Sequence, residues 1–215
     1  LESIMSQTRL PDELIICDDR SADDTVRIAD EYMSDMCMHG SRVEYKIIIN
    51  EANKGYIENF RYALSVSHCD ILFTCDQDDV WENNKVKVML HRMRVLEKGL
   101  GSACPILLYS DMEVVDEELY EISPSFASYT HQDPDRSSFA ELLVENQVTG
   151  GASMINRALL MRCAKAPEVC CMHDWWIALT ASCFGIIEFM PRALSKYRQH
   201  GNNVLGAKDA GSLGE

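Results

Sequence analysis

Acidic side chains follow two apolar runs of this sequence, and their spacing could hold a metal ion. Residues 14–17 are followed by Asp18 and Asp19, and residues 71–75 are followed by an acidic run at positions 76–79. Carboxylates this close repel one another, and a hard divalent cation relieves the repulsion. Mg²⁺ takes one or two carboxylates and completes its shell with water and phosphate oxygens. The pattern therefore indicates a cation site that holds a phosphorylated ligand.

Aspartate is also common in turns and at the starts of helices, so either cluster taken alone fits ordinary turn chemistry equally well. In open α/β sheets, however, ligands bind beyond the carboxyl ends of the strands, and both clusters fall there. Two clusters at the same edge favour a binding site. A bound cation would also reverse the local charge and let an acidic chain hold an anion.

The whole chain is acidic, and this limits its partners. Its 215 residues carry 20 Lys and Arg against 34 Asp and Glu, a formal net charge of −14. This excess argues against binding nucleic acid, which needs a clustered positive field. The least polar stretch, residues 177–190, includes polar and charged residues and falls short of the roughly 20 apolar residues that span a bilayer. We expect no transmembrane helix.

The cysteines indicate a reducing compartment. There are 9 of them, an odd number, and no C-x-x-C pair. Several lie in apolar runs, where a free thiol behaves as a small hydrophobe. This usage predicts a cytoplasmic protein rather than a disulfide scaffold. Cys170 and Cys171 are adjacent, and two packed thiols before a helix explain them better than a redox motif does.

Strands alternate with helices in the first half of the chain. Strands are predicted over residues 14–17, 45–49 and 71–75, and an amphipathic helix follows each of them. This alternation predicts an α/β fold with a mostly parallel central sheet flanked by helices.

The second half of the chain is less regular. Its predicted elements are a strand over residues 106–109, a loop over 121–136, a helix over 173–184 and a final strand over 186–190. From residue 198 onward the sequence is polar and rich in glycine, which predicts a flexible tail.

Five landmarks, in this order, resemble family 2 glycosyltransferases of the GT-A fold, and in particular a rhamnosyltransferase-like bacterial branch. They are residues 14–25, the turn at 53–55, the Asp-Gln-Asp triplet at 76–78, the His-Asp-Trp-Trp segment at 173–176, and residues 197–203. The resemblance covers nearly the whole chain. It implies one Rossmann-like GT-A domain over residues 1–203, with residues 204–215 as the flexible tail.

The resemblance implies a nucleotide-binding role for five residues near the N-terminus. Asp18 and Asp19 match the acidic pair that binds the nucleotide, with Asp19 contacting the base. Asn53, Lys54 and Gly55 match a turn beside the base and the ribose.

The resemblance also implies roles around the diphosphate and the acceptor. Asp76 would face the ribose, and Asp78 would ligate a divalent cation, Mg²⁺ or Mn²⁺, that bridges the diphosphate. His200 matches a residue that completes the metal or diphosphate site. Asp174 matches the general base.

Elementary chemistry supports these roles independently of the resemblance. Inverting transfer is a displacement at the anomeric carbon, so it needs a base for the acceptor hydroxyl and a means to neutralise the leaving diphosphate. Asp174 begins an apolar helix beside Trp175 and Trp176, whose rings could offer a flat wall to a sugar. Partial burial would raise the pKa of Asp174 and strengthen it as a base. A favourable helix-start position and core packing are the competing explanations for these residues.

Two further features have open interpretations. Gly150 and Gly151 precede a predicted strand and could let the backbone approach the donor sugar or the acceptor, although a plain turn explains them equally well. Arg198 could pair with diphosphate oxygens or be an exposed charge on the tail.

Members of the family begin with a further strand, central in their sheet, and nothing before Leu1 supplies it here. We therefore expect the fold to lack its usual N-terminal strand, with a gap in the sheet. Open sheet edges invite pairing with another chain, so a homodimer is one expectation. The truncation also leads us to expect impaired catalysis.

The predicted function is inverting transfer of a sugar, with rhamnose as one candidate, from a dTDP- or UDP-sugar. The predicted acceptor is a hydroxyl of a cell-surface polysaccharide or a lipid-linked glycan, at the cytoplasmic face of the membrane, where peripheral contact with the bilayer is one expectation.

Alternative functions remain open at the level of sequence. A receiver-type signalling module also places acidic residues after two strands, but the Asp174 and His200 segments have no place in it. A catalytically silent nucleotide-sugar-binding fragment is a second alternative. A D-x-D phosphatase is disfavoured, because Val80 and Trp81 stand where that chemistry needs a hydroxyl residue.

Overall fold

The computed structural model describes residues 1–164 and 172–201. Cys170, Cys171, Asn202, Asn203 and the predicted tail over residues 204–215 lie outside the described residues. The strands in the described part are β1 (Glu13–Asp18), β2 (Glu44–Ile49), β3 (Ile71–Phe73), β4 (Val80–Trp81), β5 (Ile106–Val115), β6 (Glu121–Ser123), β7 (Ser153–Asn156) and β8 (Ile186–Arg198). The helices are α1 (Glu2–Met5), α2 (Thr25–Met38), α3 (Tyr56–Val66), α4 (Lys85–Leu100), α5 (Phe126–Tyr129), α6 (Phe139–Leu142), α7 (Arg157–Cys163) and α8 (His173–Phe184), with a 3-10 turn at Gly150–Ala152.

The strands form two sheets. β1 pairs in parallel with β2. The second sheet has the order β3-β7-β5-β8-β4, and β6 pairs with β5. In this second sheet β5 and β8 run parallel, whereas β3–β7, β5–β7, β4–β8 and β5–β6 are antiparallel. The predicted α/β class is confirmed, but the prediction of a mostly parallel sheet is wrong for the larger sheet.

The insertion of β7 accounts for two of the four antiparallel pairings in the larger sheet. β3 and β5 are both antiparallel to β7, so they run in the same direction, as alternation with helices predicts. β7, however, arrives after the irregular residues 116–149 and lies between them in the opposite direction. The alternation of strands and helices thus predicted that β3 and β5 run in the same direction, but it did not predict that β7 lies between them.

The sheet is interrupted between β1 and β3. Among the described strands, β1 pairs only with β2, and β3 only with β7. A cleft of about 460 Å³ separates them, lined by Leu14 and Ile15 on one side and by Leu72 and Phe73 on the other. The expected gap in the sheet is therefore present.

Helices cover both faces of the larger sheet. Leu107 and Tyr109 of β5 pack in the hydrophobic cluster shared with α8, while Ile106 and Leu108 pack in the cluster shared with α4. Successive side chains of a strand point to opposite faces. Burial on both faces explains why residues 106–109 are continuously apolar.

Between residues 172 and 201 the structure contains more strand than the sequence predicted. The predicted helix over residues 173–184 is present as α8, but the final strand continues beyond residue 190 to Arg198. Its pairing with β5 shifts register around Pro191, where the ladder passes from Ser110↔Met190 to Asp111↔Ala193. A proline within a strand is accommodated at such an irregularity. The predicted loop over residues 121–136 also contains the short elements β6 and α5.

We find no helix in residues 1–164 and 172–201 that combines the length and the apolar character needed to cross a bilayer.

Candidate active site

The turn after β3 brings two carboxylates against one glycine. A Cβ atom on Gly151 would lie 2.6 Å from Oδ2 of Asp76 and 2.9 Å from Oδ2 of Asp79. Burial, followed by the charges of Asp78 and Asp174, raises the pKa of Asp76 to about 6. Burial, followed by the charges of Asp76 and Asp78, raises the pKa of Asp79 to about 8. The carboxylates are crowded in a region poorly accessible to water.

Asp79 was not assigned to the site from the sequence. It is 8% exposed, and neither carboxylate oxygen has a hydrogen-bond partner among the described residues. The backbone amide of Arg198 is close enough to favour the ionised form but does not meet hydrogen-bond geometry. The acidic run at 76–79 was the available signal, because it contains three aspartates rather than the two of the recognised triplet.

Asp78 contacts the end of β8. Nε2 of His200 lies 2.8 Å from its Oδ2. The guanidinium of Arg198 donates to the backbone carbonyl of Asp78 at 3.1 Å and to that of Glu117 at 2.6 Å. Arg198 is therefore the last residue of a strand with two backbone partners, and its interpretation as an exposed tail charge is wrong.

These residues suit a divalent cation whose coordination shell is completed by a bound phosphate group and water. Carboxylate and imidazole donors are supplied by Asp78 and His200, with the unsatisfied carboxylate of Asp79 nearby. Within residues 1–164 and 172–201, no group of three or more His, Cys, Asp or Glu side chains is arranged to hold an ion. Mg²⁺ commonly uses one or two protein carboxylates and completes its shell with phosphate oxygens and water. The donor set therefore suits a cation bound together with a diphosphate.

Asp174 lies in the first turn of α8 and is 8% exposed. Burial raises its pKa to about 6, although backbone N–H groups, including those of Trp175 and Gly150, and the side chain of Asn146 favour the ionised form. The Trp175 amide donates to Oδ1 at 2.7 Å. A pKa of about 6 leaves most of this carboxylate ionised at pH 7 and makes it more basic than an ordinary aspartate.

The 3-10 turn places Asp174 beside the acidic run. A Cβ atom on Gly150 would lie 3.1 Å from Oδ2 of Asp174, while the adjacent Gly151 touches Asp76 and Asp79. The candidate base and the candidate donor-side carboxylates thus lie beside adjacent residues of one turn. The lack of side chains at Gly150 and Gly151 permits the close approach.

A second group of candidate residues forms a turn after β2. Oδ1 of Asp19 accepts hydrogen bonds from the Asn50 side chain at 2.9 Å and the Lys54 amide at 2.8 Å, and Oδ2 accepts from the Gly55 amide at 2.7 Å. Burial raises the pKa of Asp19, but these donors outweigh burial and lower it overall. Asn53 donates to the Asp19 carbonyl at 3.2 Å. Gly55 has a φ of 81°, which favours glycine.

Asp18 uses its carboxylate in its own turn. It is buried and accepts hydrogen bonds from the backbone amide and the hydroxyl of Ser21. Local turn chemistry therefore accounts for the contacts of Asp18, whereas the Asp19 carboxylate accepts hydrogen bonds from Asn50, Lys54 and Gly55 and so shapes the turn at residues 53–55.

Two helices connect the second group to Asp174. The Tyr56 hydroxyl at the start of α3 donates to Sδ of Met172, at 3.2 Å, just before α8. One turn later in α3, Phe60 stacks on His173, with ring centroids 4.1 Å apart and an interplanar angle of 8°. The described contacts thus bring Asp76, Asp78, Asp174, His200, Gly150 and Gly151 into one group and place Asp18, Asp19, Asn53, Lys54 and Gly55 in another.

The two tryptophans hold α8 against its neighbours. The indole N–H of Trp175 donates to the Leu142 carbonyl of α6, and that of Trp176 donates to the Cys163 carbonyl of α7 at 3.2 Å. Trp176 also packs on the hydrophobic core, so core packing describes its position. Trp175 is half-buried and remains the candidate for a wall against a sugar.

Residues 1–162 match the family described as Glycosyl transferase family 2. A dTDP-rhamnosyl transferase of Shigella flexneri, RfbG, is 25% identical over 225 residues, covering 96% of this chain and 69% of that protein. A chondroitin synthase of Escherichia coli is 31% identical over 118 residues, covering 55% of this chain and 15% of that protein.

Solved structures show the same fold at low sequence identity. TarS 1-349 of S. aureus superposes with a TM-score of 0.66 and 17% identity, covering 92% of this chain and 55% of that chain. GalNAc-T7, solved with UDP, GalNAc and Mn²⁺, gives a TM-score of 0.63 and 14% identity, covering 92% of this chain and 40% of that chain. The chain spans only about half the length of the TarS fragment. With three quarters of its residues matched, the chain belongs to glycosyl transferase family 2.

Proposed function

We propose that this chain transfers a sugar from a nucleoside diphosphate to a hydroxyl acceptor with inversion at the anomeric carbon, and that Asp174 is the general base. The main support for this proposal is the turn shared by the two sets of carboxylates: an added Cβ atom would lie 3.1 Å from Oδ2 of Asp174 at Gly150, and 2.6 and 2.9 Å from Oδ2 of Asp76 and Asp79 at Gly151. A base and a leaving-group site held beside adjacent residues of one turn suit a displacement reaction.

In the proposed reaction the acceptor oxygen forms a bond to the anomeric carbon as Asp174 takes the hydroxyl proton. The bond between that carbon and the diphosphate oxygen breaks, and the nucleoside diphosphate leaves with the electron pair. A divalent cation, when bound, neutralises charge on the diphosphate. Asp78 and His200 would hold this cation, and the burial of Asp174 keeps its carboxylate basic.

The proposed donor is a dTDP- or UDP-sugar. Asp19 orders the turn at Asn53, Lys54 and Gly55, which would lie beside the base and ribose, with Asp76 towards the ribose. The similarity to a dTDP-rhamnosyl transferase supports dTDP-rhamnose as one candidate, and the UDP and Mn²⁺ bound by GalNAc-T7 support a UDP-sugar and a cation.

The proposed acceptor is a cell-surface polysaccharide or a lipid-linked glycan, modified at the cytoplasmic face of the membrane. Trp175, Gly150 and Gly151 are the candidate sugar or acceptor contacts, because Trp175 and Gly150 border Asp174 and Gly151 borders Asp76 and Asp79. The seven cysteines within the described residues are all free thiols, which supports a reducing compartment.

Calorimetric titration of UDP and dTDP, with and without Mn²⁺, tests this function. We expect Mn²⁺ to tighten nucleotide binding in the wild type, and Asp78→Asn to weaken the Mn²⁺-dependent binding by about 10–100-fold, as is typical when metal coordination is disturbed. Asp30→Asn, an exposed change on α2, is the matched control and should behave as the wild type.

Nucleotide affinities that do not respond to Mn²⁺ would contradict the proposed cation site. If neither nucleotide binds and a small phosphodonor labels an aspartate covalently, the signalling alternative is supported instead.

A further inference from the structure

Lys85, the first residue of α4, is fully buried although its side chain carries a charge. Burying an ammonium group costs free energy unless it is hydrogen-bonded or balanced by negative charge. The helix macrodipole also disfavours a cation at a helix N-terminus. The reaction proposed above has no role for this residue, so its contacts must account for its position.

The ammonium of Lys85 connects two segments of the site. Nζ donates to the backbone carbonyl of Gly151 at 3.3 Å and to the hydroxyl of Ser195 in β8 at 3.2 Å. It also lies 4.3 Å from the centre of the Trp81 ring, a favourable cation–π distance. Burial lowers the pKa of Lys85 to about 8, while nearby negative charges, including those of Asp79 and Asp76, favour its charged form.

Both ends of this connection lead to proposed catalytic groups. On one side, the Gly150 amide favours the ionised Asp174, and the Gly150 carbonyl accepts a hydrogen bond from the Thr74 hydroxyl. Lys85 and Thr74 thus hold successive carbonyls of the same turn.

On the other side, β8 runs from Ser195 to Arg198, whose guanidinium donates to the Asp78 carbonyl. His200, next but one along the chain, contacts the Asp78 carboxylate. The Lys85 ammonium therefore links the turn beside the base to the strand that leads to the cation ligands.

We propose that Lys85 is a positioning residue for glycosyl transfer: its ammonium holds the Gly150–Gly151 turn against β8 and so sets the spacing between Asp174 and the carboxylates of Asp76 and Asp79. Lys85 acts through the turn and does not touch the transferred sugar. This inference rests on the proposed function and assigns a purpose to a buried cation within it.

Lys85→Met tests the inference, because methionine is unbranched, suits an apolar environment beside Trp81 and cannot donate a hydrogen bond. The measurements are kcat and KM for release of UDP or dTDP from a panel of their sugars with Mn²⁺, the calorimetric affinity for UDP with Mn²⁺, and the thermal midpoint. We expect kcat to fall by about 100-fold, as a small misplacement of reacting groups can cause.

The affinity for UDP with Mn²⁺ should stay within about threefold of the wild type, because Lys85 contributes to positioning rather than to uniform binding. The matched control is Lys87→Met, the same substitution at an exposed position of α4. Ser195→Ala keeps the ammonium but removes one of its acceptors, and we expect it to lower kcat by about 10-fold with the same retention of affinity. If Lys85→Met does not fold, the kcat and affinity of Ser195→Ala test the inference instead.

Two results would overturn the role of Lys85 but leave the proposed function intact. The first is that the wild type is active and the Lys85 and Ser195 variants have the same kcat. The second is that nucleotide affinity falls by as much as kcat does. The second result would indicate a merely structural residue. A wild-type chain that neither binds UDP or dTDP nor releases them from their sugars would overturn the proposed function, and this inference with it.

Discussion

The aspartates of the candidate site have different pKa values, because each carboxylate has different hydrogen-bond partners and a different degree of burial. Asp19 accepts three hydrogen bonds, which lower its pKa despite burial. Asp79 has no hydrogen-bond partner among the described residues, and burial raises its pKa to about 8. Asp174 lies between these cases, with a pKa raised to about 6. Such separation of carboxyl pKa values is characteristic of sites that divide roles among similar groups.

Asp174→Asn should abolish most turnover while keeping nucleotide affinity. The amide preserves the size of the side chain but cannot take a proton from an acceptor hydroxyl, and general base catalysis contributes about 10²–10⁴-fold. Turnover of nucleotide sugars and calorimetric binding of UDP with Mn²⁺ would be compared with those of the wild type and of Asp30→Asn. Parental turnover in the Asp174 variant would show that the base is another group.

The same carboxylate gives turnover a predictable pH dependence. Asp174 must be ionised to act as a base, and burial raises its pKa to about 6 from the ordinary value of 3.8. We therefore expect kcat to rise with pH through about 6 and to reach a plateau above it. If kcat instead rises with pH near the ordinary aspartate pKa of 3.8, burial does not raise the pKa of the base.

At the scale of elements, the 3-10 turn at Gly150–Ala152 depends on glycine in its first two positions. Gly150 lies against the side chain of α8 that we propose as the base, and Gly151 lies against the carboxylates that follow β3. The 3-10 turn therefore both leads into β7 and packs against the two sets of carboxylates, which a plain turn would not require.

Gly151→Ala should weaken Mn²⁺-dependent UDP binding by at least about 10-fold, or about 1.4 kcal/mol, because the added methyl group displaces two carboxylates of the candidate site. The added Cβ would approach Oδ2 of Asp76 to 2.6 Å and Oδ2 of Asp79 to 2.9 Å, so both carboxylates must move. Calorimetry measures the affinity, and the thermal midpoint reports the fold.

The matched control for this change is Gly99→Ala in α4, where an added Cβ meets no atom within 4 Å. Because glycine is unfavourable within a helix, this control should leave binding unchanged and stabilise the fold by at most about 1 kcal/mol. Equal affinities in the two alanine variants would contradict the close packing of the turn.

The sequence predicted those elements best whose signals are local. α8 has its predicted bounds, and the strands after α3 and α4 begin at Ile71 and Ile106, as predicted, although β3 ends at Phe73 and β5 continues to Val115. β8 extends eight residues beyond Met190 because it pairs with β5 through a register shift around Pro191. That extension depends on a strand about 80 positions earlier in the chain and has no local signature.

At the scale of the whole molecule, crowded carboxylates make stability depend on pH. The folded pKa values of Asp76, Asp79 and Asp174 are raised above the ordinary 3.8, to about 6, 8 and 6. Groups of this kind favour the fold when protonated, so their contribution decreases as pH rises from about 4 through 6 to 8. At neutral pH, the ionised fraction of this cluster opposes folding.

We therefore expect Mn²⁺ with UDP to raise the thermal midpoint at neutral pH and a chelator to reverse the effect. A ligand at 100 times its Kd stabilises the fold by about 2.7 kcal/mol. Thermal unfolding followed by dye fluorescence measures the shift, and Asp78→Asn should reduce it. An equal shift in that variant would place the stabilising cation elsewhere.

The residues missed from sequence are those whose role depends on burial. The sequence carries a weak signal for each residue: Asp79 belongs to the acidic run at 76–79, and Lys85 lies at a helix start, where a cation is disfavoured. Neither signal shows that a carboxylate is unsatisfied or that an ammonium reaches a carbonyl 66 residues away.

The sequence by itself determined the α/β alternation, the acidic turns after two strands and the family, because periodicity, turn residues and ordered motifs act over a few neighbouring positions. Only the tertiary structure decided that β7 lies between β3 and β5, that Asp78 meets His200 across 122 positions, and that one glycine pair touches both sets of carboxylates. These features arise from packing between distant segments, where burial and close approach set both the position and the pKa of each group.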